Sequence, residues 1–208
     1  MSLLPCPKWE SEDSGKLPDI AQAASAIVDF IIRQNSKRYI LGHGDLKVWH
    51  RELFNKVVPV RYYAGNYRGV HAGRPCLDVQ VGVGSNLGTS PVEVEKEMKI
   101  FSAELESNTR ATDEFVDRGA APISRMQATA HMAAFAAGSV IRIHPFLNGN
   151  GRIARFTMNF FLYRYIGKMY FFINRPPGYD YANASEVAMA DGNFIPLYQY
   201  LLQIIALG

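Results

Sequence analysis

The residues best equipped for chemistry stand in one run, His144-Pro145-Phe146-Leu147-Asn148-Gly149-Asn150-Gly151-Arg152-Ile153-Ala154-Arg155. A Gly-Asn-Gly loop leaves backbone N–H groups uncovered. If Gly151 or Arg152 opens the following helix, those groups and the helix dipole converge on one anion. Arg152 and Arg155 are three apart, so they share one side of that helix and can grip further phosphate oxygens. His144 stands just upstream as a base that titrates near neutral pH. The run therefore reads as a phosphate cradle with a base beside it. Positioning, charge neutralisation and a base are what transfer from a nucleoside triphosphate to a hydroxyl requires.

The rest of the chain bounds that reading. At 208 residues the sequence suits one domain, 17–208, after a loosely held leader, 1–16, rich in Pro, Glu and Asp. Lys and Arg number 22 against 19 Asp and Glu, a net charge of +3, so no nucleic-acid partner is expected. Cys6 and Cys76 form no C-x-x-C pair and no cluster with histidines. Neither a disulfide framework nor a zinc site is expected from them, and a reducing, cytoplasmic setting fits best. No run approaches ~18 uninterrupted apolar residues, and no secretory n-region precedes one, so no membrane partner is expected. The Walker loop is absent.

The elements that must position the run follow from periodicity and punctuation. Helical spacing predicts helices at about 19–32, 45–54, 92–107, 122–142, 179–189 and 195–207. Residues 109–119 are polar and read as a loop. The stretch 156–166 is apolar on nearly every side, as in a helix enclosed by others. The 122–142 helix carries Met126, Ala130, Ala133, Ala137 and Ile141 on one face, small enough for a close helix neighbour. His50 and His131 read as packed, structural histidines. Alternation over 77–83 and the turn residues Ala72-Gly73-Arg74-Pro75 predict a hairpin pairing 67–70 with 77–83.

The run at 144–155 resembles the Fic-family signature H-P-F-x-(D/E)-G-N-G-R-x-x-R at every defined position except Asn148. Ala64-Gly65-Asn66-Tyr67-Arg68 resembles the G-x-Y-R word before the Fic flap, and Tyr179-Asp180-Tyr181 with residues 191–197 resembles the segment after the signature helix. The likeness spans about 46–205. It implies a mostly α fold, a helical bundle around a central buried helix with a small β-hairpin flap over the active site.

The same resemblance implies a protein adenylyltransferase that moves AMP from ATP to a Ser, Thr or Tyr hydroxyl of a target protein. His144 would be the general base, Gly149, Asn150 and Gly151 would contact phosphate, and Arg152 and Arg155 would hold the β- and γ-phosphates. Val79, Gln80 and Val81 of the flap would align the target's main chain. Phe146 would point into the core and pin the loop. Phosphorylating Doc-like relatives have lysine at the place of Arg152, and phosphocholine-transferring relatives have alanine at that of Gly149, so both residues favour nucleotidyl transfer. Asn148 takes the place of an Asp or Glu that holds Mg²⁺. A neutral amide is a poorer ligand for a hard cation, so the expectation is weakly held Mg²⁺, slow turnover, and a gain on Asn148→Asp. The alternatives are another nucleotide donor, or a catalytically weakened member that binds nucleotide or a partner. The word (S/T)-x-x-x-E-(G/N) of an internal inhibitory helix is missing, which predicts a separate antitoxin-like inhibitory protein.

Overall fold

Apolar periodicity broken by Gly and Pro resolves into seven α-helices among the described residues. The computed structural model describes residues 6–9, 14–35, 38–170, 174–176 and 179–207. The helices are α1 Leu17–Asn35, α2 His43–Phe54, α3 Val94–Asp117, α4 Pro122–Ile143, α5 Asn150–Ile166, α6 Tyr179–Asp191 and α7 Ile195–Leu207. Pro122 opens α4, where its missing N–H costs nothing. Gly167, at φ 70°, closes α5 and returns its N–H to Tyr163 at 2.9 Å.

As its pattern predicts, α5 is the enclosed pillar, with Phe156, Phe160 and Phe161 wholly buried. Each such ring contributes about 1.5–3 kcal/mol by leaving water. Trp49 of α2 packs against Phe156 and Phe160 with ring centroids 6.4 and 6.5 Å apart. The far end of α5 is pinned by Arg164, buried, which donates to both oxygens of Asp113 at 2.9 and 2.5 Å and to the Tyr39 carbonyl at 2.9 Å. On α4, Gly138 admits the Phe194 ring; a Cβ there would stand 2.4 Å from a ring carbon. A rigid α4 and α5 pair therefore brackets the loop that carries His144.

Five expectations change. Residues 109–119 are not a loop, because α3 runs on to Asp117. Its polar stretch stays helical through i,i+4 pairs of Glu106 with Arg110 and Glu114 with Arg118, and through the bond from Asp113 to Arg164. The hairpin is later and shorter than predicted, β1 Gly82–Val83 antiparallel to β2 Asn86–Leu87, with Gly82 opposite Leu87 and Val83 opposite Asn86. Gly84, at φ 60°, makes its turn. Gly73, at φ 73°, instead leads into a 3-10 turn at Pro75–Leu77, and the Val79 carbonyl is taken by the Arg68 side chain rather than by a neighbouring strand.

Cys6 and Cys76 are joined in a disulfide, contrary to the reading of the cysteines as unpaired. They lie 70 positions apart, and only the tertiary fold brings them to a Cα separation of 5.5 Å. The cysteine argument for a reducing compartment falls with that pairing. Residues 6–9 are correspondingly not loose: Trp9 is buried and the Pro7 carbonyl accepts from the Tyr63 hydroxyl at 3.1 Å. The remainder of the predicted leader up to residue 13 lies outside the described residues. His131 is exposed, its ring 6.1 Å from that of Tyr198, so it is not the buried histidine predicted. No helix among the described residues is long and apolar enough to cross a membrane.

Candidate active site

The C-terminal turn of α4 ends on His144 in the left-handed region, φ 54°, ψ 56°. Histidine tolerates that conformation better than most L-residues, but at a cost, so the fold must hold it there. The His144 N–H closes on Val140 at 3.0 Å, and the His144 carbonyl accepts from Arg68 Nε at 2.9 Å. The ring is partly buried, and its Nδ1 lies 3.2 Å from the Ile141 carbonyl. Only a donor satisfies a carbonyl, so Nδ1 carries the proton and Nε2 keeps its lone pair for an incoming hydroxyl. Burial pushes the His144 pKa down to about 4, aided by the Arg68 charge and opposed by the Ile141 bond. The ring is thus neutral at physiological pH.

Arg68, the arginine of the G-x-Y-R word, has no role predictable from that word, and it organises the backbone around His144. Its guanidinium is buried and donates to the carbonyls of His144, Val79, Thr89 and Ile143 at 2.9, 3.0, 2.8 and 3.3 Å. Its N–H donates to the Pro145 carbonyl at 2.8 Å. One side chain therefore ties both arms of the flap to the backbone on which the base sits. Burial without a carboxylate partner draws its pKa down to about 10, which still leaves it charged. Gly88 completes the seam, since a Cβ there would stand 2.6 Å from the His144 Cβ. Five neutral carbonyls around one arginine leave no sequence pattern to find.

The loop after His144 is pinned from inside. Phe146 points into the core as expected, stacked on the His50 ring at 3.8 Å. His50, as predicted, is structural: its Nδ1 accepts the Gly65 N–H at 2.9 Å, so its Nε2 donates to the Asn148 carbonyl at 3.0 Å. Burial holds its pKa near 3. The Asn150 side chain spans the Phe146 backbone, accepting its N–H and donating to its C=O, both at 2.8 Å. Its amide side chain is spent on loop shape, and what it offers an anion is its backbone N–H.

The α5 N-terminus is built on Gly149 at φ 79°, ψ 0°. The N–H groups of Arg152 and Ile153 both return to the Gly149 carbonyl, at 3.1 and 3.2 Å. Asn150 and Gly151 are the first residues of α5, so their N–H groups point along the helix axis toward the cavity. Arg152 and Arg155 are largely buried beside them, and Arg155 Nη1 lies 3.4 Å from where a Gly151 Cβ would stand. His144, residues 148–152 and Arg155 line a single cavity of about 750 Å³. Val83, Gly84 and Asn86 of the flap form part of its wall, as does the face of α6 around Tyr181, Ser185 and Met189. Arg175, exposed at the rim, adds a third guanidinium that the signature did not announce.

The flap residues expected to align a target, Val79, Gln80 and Val81, do not line this cavity, whose flap wall is Val83, Gly84 and Asn86. Val79 and Gln80 are exposed; the Val79 N–H donates to Leu77 at 2.9 Å and Gln80 Nε2 to the Gly88 carbonyl at 2.7 Å. The Val81 carbonyl accepts from Gly88 at 3.0 Å.

Asn148 does not meet the expectation of a metal ligand. Its Oδ1 accepts the Gly149 N–H at 2.6 Å, and its Nδ2 donates to the Trp9 carbonyl at 2.9 Å. One lone pair of the neutral oxygen a cation would need is already engaged, and the other arm is a donor. No group of three His, Cys, Asp or Glu side chains among the described residues is placed to hold a metal. The surroundings of Asn148 therefore do not fit Mg²⁺.

A model described as the Fic/DOC family matches residues 40–162. Among solved structures, a Fic-domain-containing signalling protein from Bacteroides thetaiotaomicron is similar over 96% of this chain and 74% of its own, at 20% identity and a TM-score of 0.64. The BepC protein of Bartonella tribocorum, a VirB-translocated effector with bound AMPPNP, is similar over 91% of this chain and 83% of its own, at 18% identity and a TM-score of 0.55. The N-terminal Fic domain of a cell filamentation protein from Bartonella quintana, with bound ADP, matches over 88% and 85%, at 17% identity and a TM-score of 0.52. At these identities the likeness is one of fold.

Proposed function

This chain belongs to the Fic/DOC family, and from that premise we propose that it transfers AMP from ATP to a Ser, Thr or Tyr hydroxyl of a protein. One observation carries the reading. The open Nε2 of His144, the amides heading α5, and Arg152 and Arg155 face one cavity. The nucleotides bound in the two Bartonella relatives support a nucleoside polyphosphate as its occupant.

In the proposed reaction the target hydroxyl oxygen attacks the α-phosphorus. The bond from that phosphorus to the oxygen bridging to the β-phosphate breaks, pyrophosphate leaves, and the hydroxyl proton passes to His144 Nε2. Arg152 holds the β-phosphate and Arg155 the γ-phosphate, with the amides of Asn150 and Gly151 on the phosphate chain. The target strand lies along Val79, Gln80 and Val81, main chain to main chain. Charge on the leaving group is met by guanidinium groups and helix amides. Restraint of the transfer falls to a separate inhibitory protein.

Label transfer tests the proposal. Protein labelled from α-labelled but not γ-labelled ATP, and lost in His144→Ala, is the expected result. Equal labelling with and without His144 would overturn it, and UTP and GTP in the same assay read the base. A second reading, nucleotide binding without turnover, is favoured by the engagement of Asn148 with Gly149 and Trp9. Tight ATP binding with no transfer from any label would decide for it.

A further inference from the structure

We propose that Asn148 is a latch: through the Trp9 carbonyl it couples a disulfide-tethered N-terminal segment to the phosphate loop, withholding the Gly149 amide from the anion until Cys6–Cys76 is reduced. This rests on the reading of the cavity as a nucleotide site.

Three contacts fix residues 6–9 across the back of the loop. At one end Cys6 is bonded to Cys76, which is buried within the 3-10 turn Pro75–Leu77. That turn is itself held, since the Leu77 carbonyl accepts the Gly69 N–H at 2.9 Å and Arg74 Nη1 donates to Asn66 Oδ1 at 2.6 Å. In the middle the Tyr63 hydroxyl donates to Pro7. At the other end the Trp9 ring packs edge-on against His50 and Phe54, centroids 5.8 and 5.2 Å away, and its carbonyl accepts from Asn148.

The amide of Asn148 is planar, so committing Nδ2 to Trp9 dictates where Oδ1 points. It points at the Gly149 N–H, 2.6 Å away. That N–H belongs to the residue preceding α5 and is one of the donors an anion in the cradle would claim. The latch also accounts for the residue type. A carboxylate at 148 has no N–H to give and would set its negative oxygen against the Trp9 carbonyl, whereas asparagine supplies a donor to one side and an acceptor to the other.

Cys6 is exposed, so the tether is open to a dithiol. One thiolate attacks a sulfur to form a mixed disulfide, and the second resolves it. Two electrons pass to the Cys6–Cys76 bond, two protons end on the freed thiols, and the reductant leaves as a cyclic disulfide. Untethered, residues 6–9 lose the high effective concentration that holds Trp9 on Asn148. The amide can then turn and release the Gly149 N–H.

The test uses the full chain without added divalent metal, with dithiothreitol as reductant. ATP affinity is measured by calorimetry and Trp9 exposure by acrylamide quenching. Trp49 is wholly buried and gives a constant background. Reduction should raise quenching and tighten ATP about fivefold. Cys6→Ser should match the reduced protein, and Asn148→Ala should tighten ATP in the oxidised protein and abolish its response to dithiothreitol. Thiol titration that shows an opened bridge, with quenching or affinity unchanged, overturns the latch. So does an Asn148→Ala variant that still responds like wild type. If Trp9 responds but no form binds ATP, the nucleotide reading fails and takes the latch with it. That outcome differs from failure of the latch alone, in which ATP binds equally in every form.

Discussion

At the scale of single residues, His144 is set apart by a burial that keeps it neutral. Its depressed pKa, about 4, predicts that kcat/KM for transfer stays level from pH 8 down to about 5 and falls only as pH approaches 4. An ordinary histidine base would give a limb near 6.5. A limb at that ordinary value, measured with a saturating target, would contradict the buried geometry. Arg68 touches the backbone of His144 and not the reacting atoms, so it is a positioning residue. Arg68→Gln should leave ATP binding within about threefold of wild type and lower transfer by roughly a hundredfold, as a misplacement near 1 Å does. It should also shift the acid limb upward, because a positive charge next to the ring is removed. A merely structural arginine would weaken both activities together and leave the pH profile in place.

At the scale of elements, the flap and the α4 terminus act as one unit. Thr89 donates to the Ile143 carbonyl at 3.1 Å, and Gly88 leaves no room for a side chain against His144. Gly88→Ala should therefore displace the flap and reduce target modification at least tenfold while ATP affinity changes little; equal losses with the fold intact would place Gly88 in the nucleotide site instead. For target docking, proline belongs at Val81 rather than Val79, because the Val79 N–H is already spent on Leu77 and its loss would disturb the flap itself. Val81→Pro should impair protein modification far more than ATP binding. A parallel loss of both in a folded variant would refute main-chain docking.

At the scale of the molecule, two long-range features set stability. His50 is buried and neutral, its pKa held near 3 against an ordinary 6.5. The unfolded chain takes up that proton first. Stability is therefore full above about pH 6.5 and declines as pH falls toward 3, by about 1.4 kcal/mol per pH unit for this one group. Urea unfolding between pH 7 and 4 should show this slope added to one of the same sign from His144, and His50→Gln should remove the His50 share and leave the rest. The Cys6–Cys76 bridge closes a loop of 70 positions. The chain-entropy model gives such a loop about 4 kcal/mol, so Cys76→Ser should lower the unfolding free energy by roughly 2–4 kcal/mol. A change under about 0.5 kcal/mol would mean that residues 6–9 stay docked by Trp9 alone.

The pillar and most of the helices around it were legible in the sequence, because their apolar patterns are local. An all-round apolar stretch must be enclosed, and two arginines three apart must share a side; the helix itself opens at Asn150, a residue ahead of the Gly151 or Arg152 start that the pattern offered. His144 and Phe146 were legible for the same reason, as was His50, a polar ring on an apolar face. What lay beyond reach depends on contacts between distant positions. The pairing of Cys6 with Cys76, the carbonyls gathered by Arg68, and the register of the flap are each fixed by which chain segment arrives opposite which. The continuation of α3 through its polar stretch draws, besides pairs within the helix, on an ion pair with α5 between Arg164 and Asp113. Asn148 marks the boundary most clearly. In the sequence it is a missing charge in a metal site; in the folded chain its two polar atoms are taken by Gly149 and by Trp9, a residue 139 positions away, and only the tertiary structure could supply that partner.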